Sequence, residues 1–341
     1  MAGLPYRDVS ECGVEWRDQD ASILNNKPCS IPSRYQSSPG STSPTCEFHF
    51  EEVRLIQALD GHEDIVRSLF DREQKFPLGP DYLTKLRSSK RCRLGDHRRR
   101  IVRWMFETQK ELETSLSTTL LAIRYLDTIM AREVIQGDVE EVFDLFGTAC
   151  LFVAFKFDCT ENGCYSVSEI QAVSHNVFRV QDVVQAERHI LRLLNWDLNP
   201  VTPMSYISHL LCSVCPLWSV PAAVWKELWM GASKHLQQCC HDVRILEFSS
   251  SEIASAAVLL ALDDHDLQSE KAQRKLDELM EGKQEIIRKC RSVFVDIELD
   301  SSDWTSLLLH CEEAPGTYLY KDQLSSTRPF DIEFSPRSVL S

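Results

Sequence analysis

Val142-Phe143-Asp144-Leu145-Phe146-Gly147-Thr148-Ala149-Cys150-Leu151-Phe152-Val153-Ala154 is apolar on nearly every side of the helix it would form. A helix with one apolar stripe lies on a surface, whereas one that is apolar all round is surrounded by other helices. The stretch therefore predicts the central helix of a bundle. Ile253-Ala254-Ser255-Ala256-Ala257-Val258-Leu259-Leu260-Ala261-Leu262 has the same character about a hundred residues later. Working outward from these two, the apolar period predicts helices over 50–70, 97–109, 115–132, 138–158, 166–176 and 179–196. A second group follows over 202–212, 220–239, 249–263 and 281–296, with one more over 266–279. With the helix over 50–70 set apart as a preceding one, each buried segment is third in its group, and no Asn-Gly or Asp-Gly turn joins alternating runs as a hairpin would need.

Helix starts are marked by chemistry as well. Ser166-Val167-Ser168-Glu169 and Ser249-Ser250-Ser251-Glu252 have capping-box spacing, and Thr202-Pro203 offers an N-cap followed by proline at the first helical position. The fold class predicted is all-α, with two tandem five-helix bundles preceded by a helix. The organisation expected is a disordered Ser- and Pro-containing arm over 1–49, a first fold over 50–198, a second over 199–297, and a mostly disordered acidic, Ser-containing tail over 298–341.

Composition narrows the function. The 341 residues, 43% hydrophobic, are enough to build two cores, and a formal charge of −14 argues against a general affinity for nucleic acid. No apolar run reaches the roughly 18 to 20 residues of a membrane span. Thirteen scattered cysteines, an odd number, fit reduced thiols packed as small hydrophobes better than a disulfide framework. Cys239-Cys240-His241 lacks the Cys-x-x-Cys spacing of a zinc site and is read as helix-end packing, so neither metal nor cofactor is expected. Phosphate-cradling glycine loops, His-Glu-x-x-His sites and Gly-x-Ser-x-Gly elbows are absent from the sequence, and no catalytic residue is assigned.

Four motifs in order carry a resemblance. Arg99-Arg100-Ile101-Val102-Arg103-Trp104-Met105-Phe106-Glu107 looks like the first helix of the cyclin box, and Ala122-Ile123-Arg124-Tyr125-Leu126-Asp127 resembles its second. Gly147 through Asp158 resembles the third helix with its terminal lysine. Glu187-Arg188-His189-Ile190-Leu191-Arg192-Leu193-Leu194-Asn195-Trp196-Asp197-Leu198 is similar to the fifth, and Val201-Thr202-Pro203 to the entry of the second fold. The chain thus resembles the cyclins over about residues 50 to 297. Pro80-Asp81-Tyr82-Leu83, in an upstream helix, and Glu247-Phe248 through Ile253-Ala254 resemble D-type cyclins, especially those of plants.

The resemblance implies a regulatory subunit that activates a cyclin-dependent kinase, D-type-like at the G1/S transition, with the nucleus as its location and the cytoplasm as a second candidate. Lys156 and Glu187 match the pair that grips kinase backbone groups, with Phe152, Phe155 and Leu151 as apolar contacts. Phe155 stands where the family usually has a small residue, and Cys159 where it has an acidic one. The resemblance also implies a groove for Arg-x-Leu peptides on the first helix, at Trp104, Glu107 and Arg100. Because His97 and Arg100 replace apolar residues there, weak docking is expected. Trp104 itself is read as core packing.

Leu309-His310-Cys311-Glu312-Glu313 fits the Leu-x-Cys-x-Glu motif of retinoblastoma-protein ligands, through Leu309, Cys311 and Glu313, although D-type cyclins carry it near the N-terminus. Arg87, Lys90, Arg91, Arg93, Arg98, Arg99 and Arg100 form a basic stretch with only Asp96 opposing, read either as a solvated face or as a nuclear-import or acidic-partner site. Ser38-Pro39, Ser43-Pro44 and Ser335-Pro336 are proline-directed phosphorylation candidates. Two other readings stay open: a cyclin-fold adaptor that no longer activates a kinase, as departures at Phe155, Thr128 and Arg100 allow, and a basal transcription factor with two cyclin folds. The second would bring a zinc ribbon and a basic DNA-facing surface, which this sequence lacks.

Overall fold

The computed structural model describes residues 61–75, 77–78, 80–88, 94–132, 139–158, 169, 178–215, 221–267, 269–280 and 282–308; for 80, 88, 269 and 301–308 it describes the backbone alone. Among these residues every regular element is helical. The elements are α1 (His62–Glu73), α2 (Pro80–Ser88), α3 (Leu94–Glu111), α4 (Leu116–Arg132), α5 (Val139–Phe157), α6 (Val180–Leu193), α7 (Met204–Val214), α8 (Ala222–Cys239), a 3-10 turn (Val243–Glu247), α9 (Ser250–Asp264), α10 (Ser269–Leu279) and α11 (Gln284–Leu308). None of the described helices is long and apolar enough to cross a membrane.

Both apolar segments are central, as their composition requires. α5 is buried from Val142 to Phe155 apart from Asp144, and α3, α4 and α6 all pack on it. α9 is buried almost throughout and is surrounded by α7, α8, α10 and α11. The second repeat thus shows all five of its helices, while the fourth expected in the first, over 166–176, falls outside the described residues save Glu169. At the crossing of α3 and α5, Gly147 lets the backbones close up: a Cβ there would sit 2.3 Å from Ile101 Cγ1. The capping box of α9 is complete, with Ser249 Oγ accepting from Glu252 N–H and Glu252 accepting from Ser249 N–H. Pro203 has helical dihedrals immediately before α7.

Two features depart from the sequence reading. α1 packs on α7, in the second repeat, rather than on the first-repeat helices that follow it in sequence. Glu73 explains the attachment: its carboxylate accepts from Ser251 N–H at the start of α9 (3.0 Å) and from the Tyr206 hydroxyl (3.1 Å), while Arg72 donates to the Asn199 carbonyl (2.9 Å). His62 Nδ1 also meets His209 Nδ1 at 3.0 Å. Second, α11 runs on to Leu308, where a tail was expected from 298. Serine and aspartate are weak helix formers but not breakers, and no glycine or proline stands between Lys283 and Leu308.

The two repeats meet through a buried guanidinium. Arg98 Nη1 donates to the carbonyls of Cys240 (3.0 Å) and His241 (3.4 Å) at the end of α8, while Nε and Nη2 bind Asp127 of α4. The Tyr82 hydroxyl of α2 donates to the same carboxylate at 2.9 Å. Burial, followed by the Asp127 charge, pushes the Tyr82 hydroxyl well above its ordinary pKa, so it stays a donor.

Candidate functional site

Lys156 lies in the last turn of α5, where the all-round apolar run gives way to charge, and Glu187 lies midway along α6. α6 turns Val183, Ala186 and Ile190 inward, which leaves Glu187 at the edge of its buried face. The Lys156 ammonium donates to Glu187 Oε1, with the side chains 39% and 12% exposed. One turn back, the Phe152 ring lies 4.3 Å from Lys156 Nζ, a cation–π contact that backs the ammonium. The pair is a charged clasp between two helices, anchored below and open to solvent above.

Exposed apolar residues lie at the ends of the same two helices. The exposed large hydrophobic residues of the first repeat, among those described, are Phe157 (46%), Val180 (44%) and Trp196 (70%). All three lie at the end of α5, the start of α6 or its exit. Asn195 and Trp196 both have positive φ, 51° and 59°. The bonds Asn195 N–H to Arg192 O and Trp196 N–H to Leu191 O, each 3.0 Å, close the helix and leave the indole facing solvent.

The structure revises several expected site residues. Phe155 is 4% exposed and Phe152 5%, so both rings belong to the core and neither offers a surface anchor. Leu151 is fully buried. The exposed aromatic beside the lysine is Phe157, which sequence reasoning missed because it fell at the helix end. The signal was its place one residue past Lys156, where the apolar run had already broken.

Arg100 is not a free charge on a groove floor. It binds both oxygens of Asp144 at 2.8 and 2.9 Å and also Glu140, so its guanidinium ties α3 to α5. Trp104 is half-buried against the core, Glu107 is exposed, and the His97 ring faces Phe143 with centroids 6.4 Å apart. The basic stretch is likewise largely spoken for. Arg98 is 1% exposed, Arg87 pairs with Glu247, and Arg99 lies 3.9 Å from Asp96 and 3.8 Å from Asp242. Lys90, Arg91 and Arg93 lie outside the described residues, as do Leu309, Cys311, Glu313 and the three Ser-Pro sites. Cys239 and Cys240 are buried at the end of α8, where burial drives the Cys239 thiol well above its ordinary pKa.

Two family profiles cover nearly all of the described residues: "Cyclin, N-terminal domain" matches 64–199 and "Cyclin, C-terminal domain" matches 201–311. The chain belongs to the cyclin family. This cyclin is 28% identical over 210 residues to Cyclin-D4-2 of Arabidopsis thaliana, covering 60% of this chain and 66% of the relative. It is also 29% identical over 208 residues to the G2/mitotic-specific cyclin-B3 of Drosophila melanogaster, covering 59% of this chain and 32% of that one. The matched stretch is thus from a third to just under two thirds of these curated relatives' lengths. Its fold is that of a viral cyclin from Herpesvirus saimiri, with a TM-score of 0.58 at 19% identity over 68% of this chain and 96% of the other.

Proposed function

We propose that this cyclin binds and activates a cyclin-dependent serine/threonine kinase through the edge formed by α5 and α6. One observation carries the reading: the Lys156–Glu187 clasp joins the two helices, α5 and α6, whose ends carry the exposed Phe157, Val180 and Trp196. An ion pair whose lysine is still open to water contributes modestly to its own fold, about 1 kcal/mol where both charges are exposed. When a partner excludes water, the same charges become strong directional contacts, while exposed aromatic and aliphatic side chains supply the apolar anchors. The cyclin then contributes binding energy and the kinase contributes the chemistry, its nucleotide-binding site being completed by the movement of a kinase helix. The chain itself acts as a non-catalytic regulatory subunit.

A D-type role at G1/S draws support from the similarity to Cyclin-D4-2, against which the similarity to a B-type relative weighs. The reading extends to a nuclear location and to a retinoblastoma-type partner bound through Leu309, Cys311 and Glu313. Co-purification with a panel of cyclin-dependent kinases, followed by phosphorylation of histone or a retinoblastoma tail, tests it. The wild type should stimulate at least one kinase, and Lys156→Glu with Glu187→Lys should abolish that. A wild type that stimulates none ends the kinase reading, and a double variant equal to wild type removes these two residues from it.

A further inference from the structure

The residue just past α5 carries a charge unfavourable for its place. The Asp158 N–H still bonds the Ala154 carbonyl at 2.9 Å, which puts a carboxylate at the negative end of the helix. The side chain does not remain there. Its Oδ2 accepts from Ser115 Oγ at 3.1 Å and from Thr118 Oγ1, at the start of α4. Ser115 is the capping residue of that helix: its Oγ accepts the Thr118 N–H at 3.0 Å and lies 2.7 Å from Thr118 Oγ1. Asp158 thereby moves its charge from the negative end of one helix to the positive end of the next.

Helix ends fray because their last carbonyls have no partner within the helix. The final turn of α5 is the one that carries Lys156 and Phe157. We propose that Asp158 is a positioning residue for the partner-binding edge, clamping the last turn of α5 onto the cap of α4 so that Lys156 stays against Glu187 and Phe157 stays outward. The inference rests on the kinase reading for its consequence, but the clamp itself is a property of the free chain. It differs from a direct contact between Asp158 and a partner, in which the carboxylate's charge, rather than its hold on the two hydroxyls, would matter.

Both halves are measurable on the full-length protein. Asp158→Ala should speed amide exchange at residues 154–158 by about 10-fold, equivalent to about 1.4 kcal/mol, and weaken a kinase retained from the panel by a similar factor. Thr118→Val, which removes one hydroxyl without changing side-chain size, should move both readings in the same direction. The double variant should be no worse than Asp158→Ala alone, because the two residues act through one contact. Asp158→Asn keeps an acceptor and should recover most of both losses. The proposal is overturned if exchange at 154–158 is unchanged in Asp158→Ala, if the losses of the two single variants multiply, or if Asp158→Asn loses kinase binding as fully as alanine. Exchange needs no kinase, so a chain that binds none would remove the kinase reading while the exchange rates still decide whether the clamp exists.

Discussion

Arg98 and Asp127 meet through two parallel bonds, Nε to Oδ1 at 2.7 Å and Nη2 to Oδ2 at 2.9 Å, with their side chains 1% and 3% exposed. Charges so deeply buried persist only when each is fully partnered. Asp127→Ala would leave the guanidinium in the core with only backbone carbonyls. It should lower unfolding free energy by about 3–5 kcal/mol. Urea titration measures this, and a loss under about 1 kcal/mol would contradict the essential role of the pair. Arg98→Met with Asp127→Leu should cost less than Asp127→Ala, since no charge is then stranded.

Phe155 and Phe157, two residues apart, should behave oppositely. Phe155→Ala empties a core site and should cost about 3–5 kcal/mol of stability. Phe157→Ala should change stability by no more than about 0.5 kcal/mol, yet weaken kinase binding about 10-fold or more. Equal thermal shifts in the two variants would sink the distinction.

Gly147→Ala tests the crossing of α3 and α5. The new methyl would overlap Ile101 Cγ1 and Cδ1, at 2.3 and 2.7 Å, and should destabilise by about 1–3 kcal/mol. Ile101→Ala removes both atoms, so the combination should be less harmful than the sum of the single changes. Strict additivity would argue that the helices separate freely.

Stability should fall as the solution is acidified from about pH 7.5 to about pH 5.5. Burial, helped by the neighbouring His62, holds His209 below the usual 6.5; burial, helped by Arg103 and Arg99, does the same for His241. Both histidines therefore take up protons more readily in the unfolded chain. Stability arising from their neutral forms is complete above 6.5 and is lost as pH falls through the lowered folded values. Glu63, paired with Lys275, keeps its charge in this window, its carboxyl being lowered by that lysine. Replacing both histidines with glutamine should flatten the dependence of the urea midpoint on pH, and an undiminished slope would refute the assignment.

Much of this was legible in the amino acids. Val142 to Ala154 and Ile253 to Leu262 have the signature of buried helices because burial on all sides leaves no polar face to preserve. The Ser249 and Glu252 cap was readable because it is local. Arg98 was misread for the opposite reason: its neighbours in sequence are arginines, while its partners, Asp127 and the Cys240 carbonyl, lie 29 and 142 residues away. A hint was present, since Arg98 shares a helical stripe with Ile101, Val102 and Met105. Arg100 gave no comparable signal, because Glu140 and Asp144 are brought to it by the α3–α5 crossing alone. Phe155 and Phe157 were separable only once the last turn of α5 had a direction.

The Glu73 carboxylate closes the start of α9 from 178 residues away. During synthesis, α1 leaves the ribosome long before Ser251 and Tyr206 exist to receive it. Its seat appears only when the second repeat has been made, so the first of the described helices to emerge is among the last to dock. A nascent chain stopped after α6 would carry α1 as an unmoored helix, and the arrival of α9 would be the event that secures it.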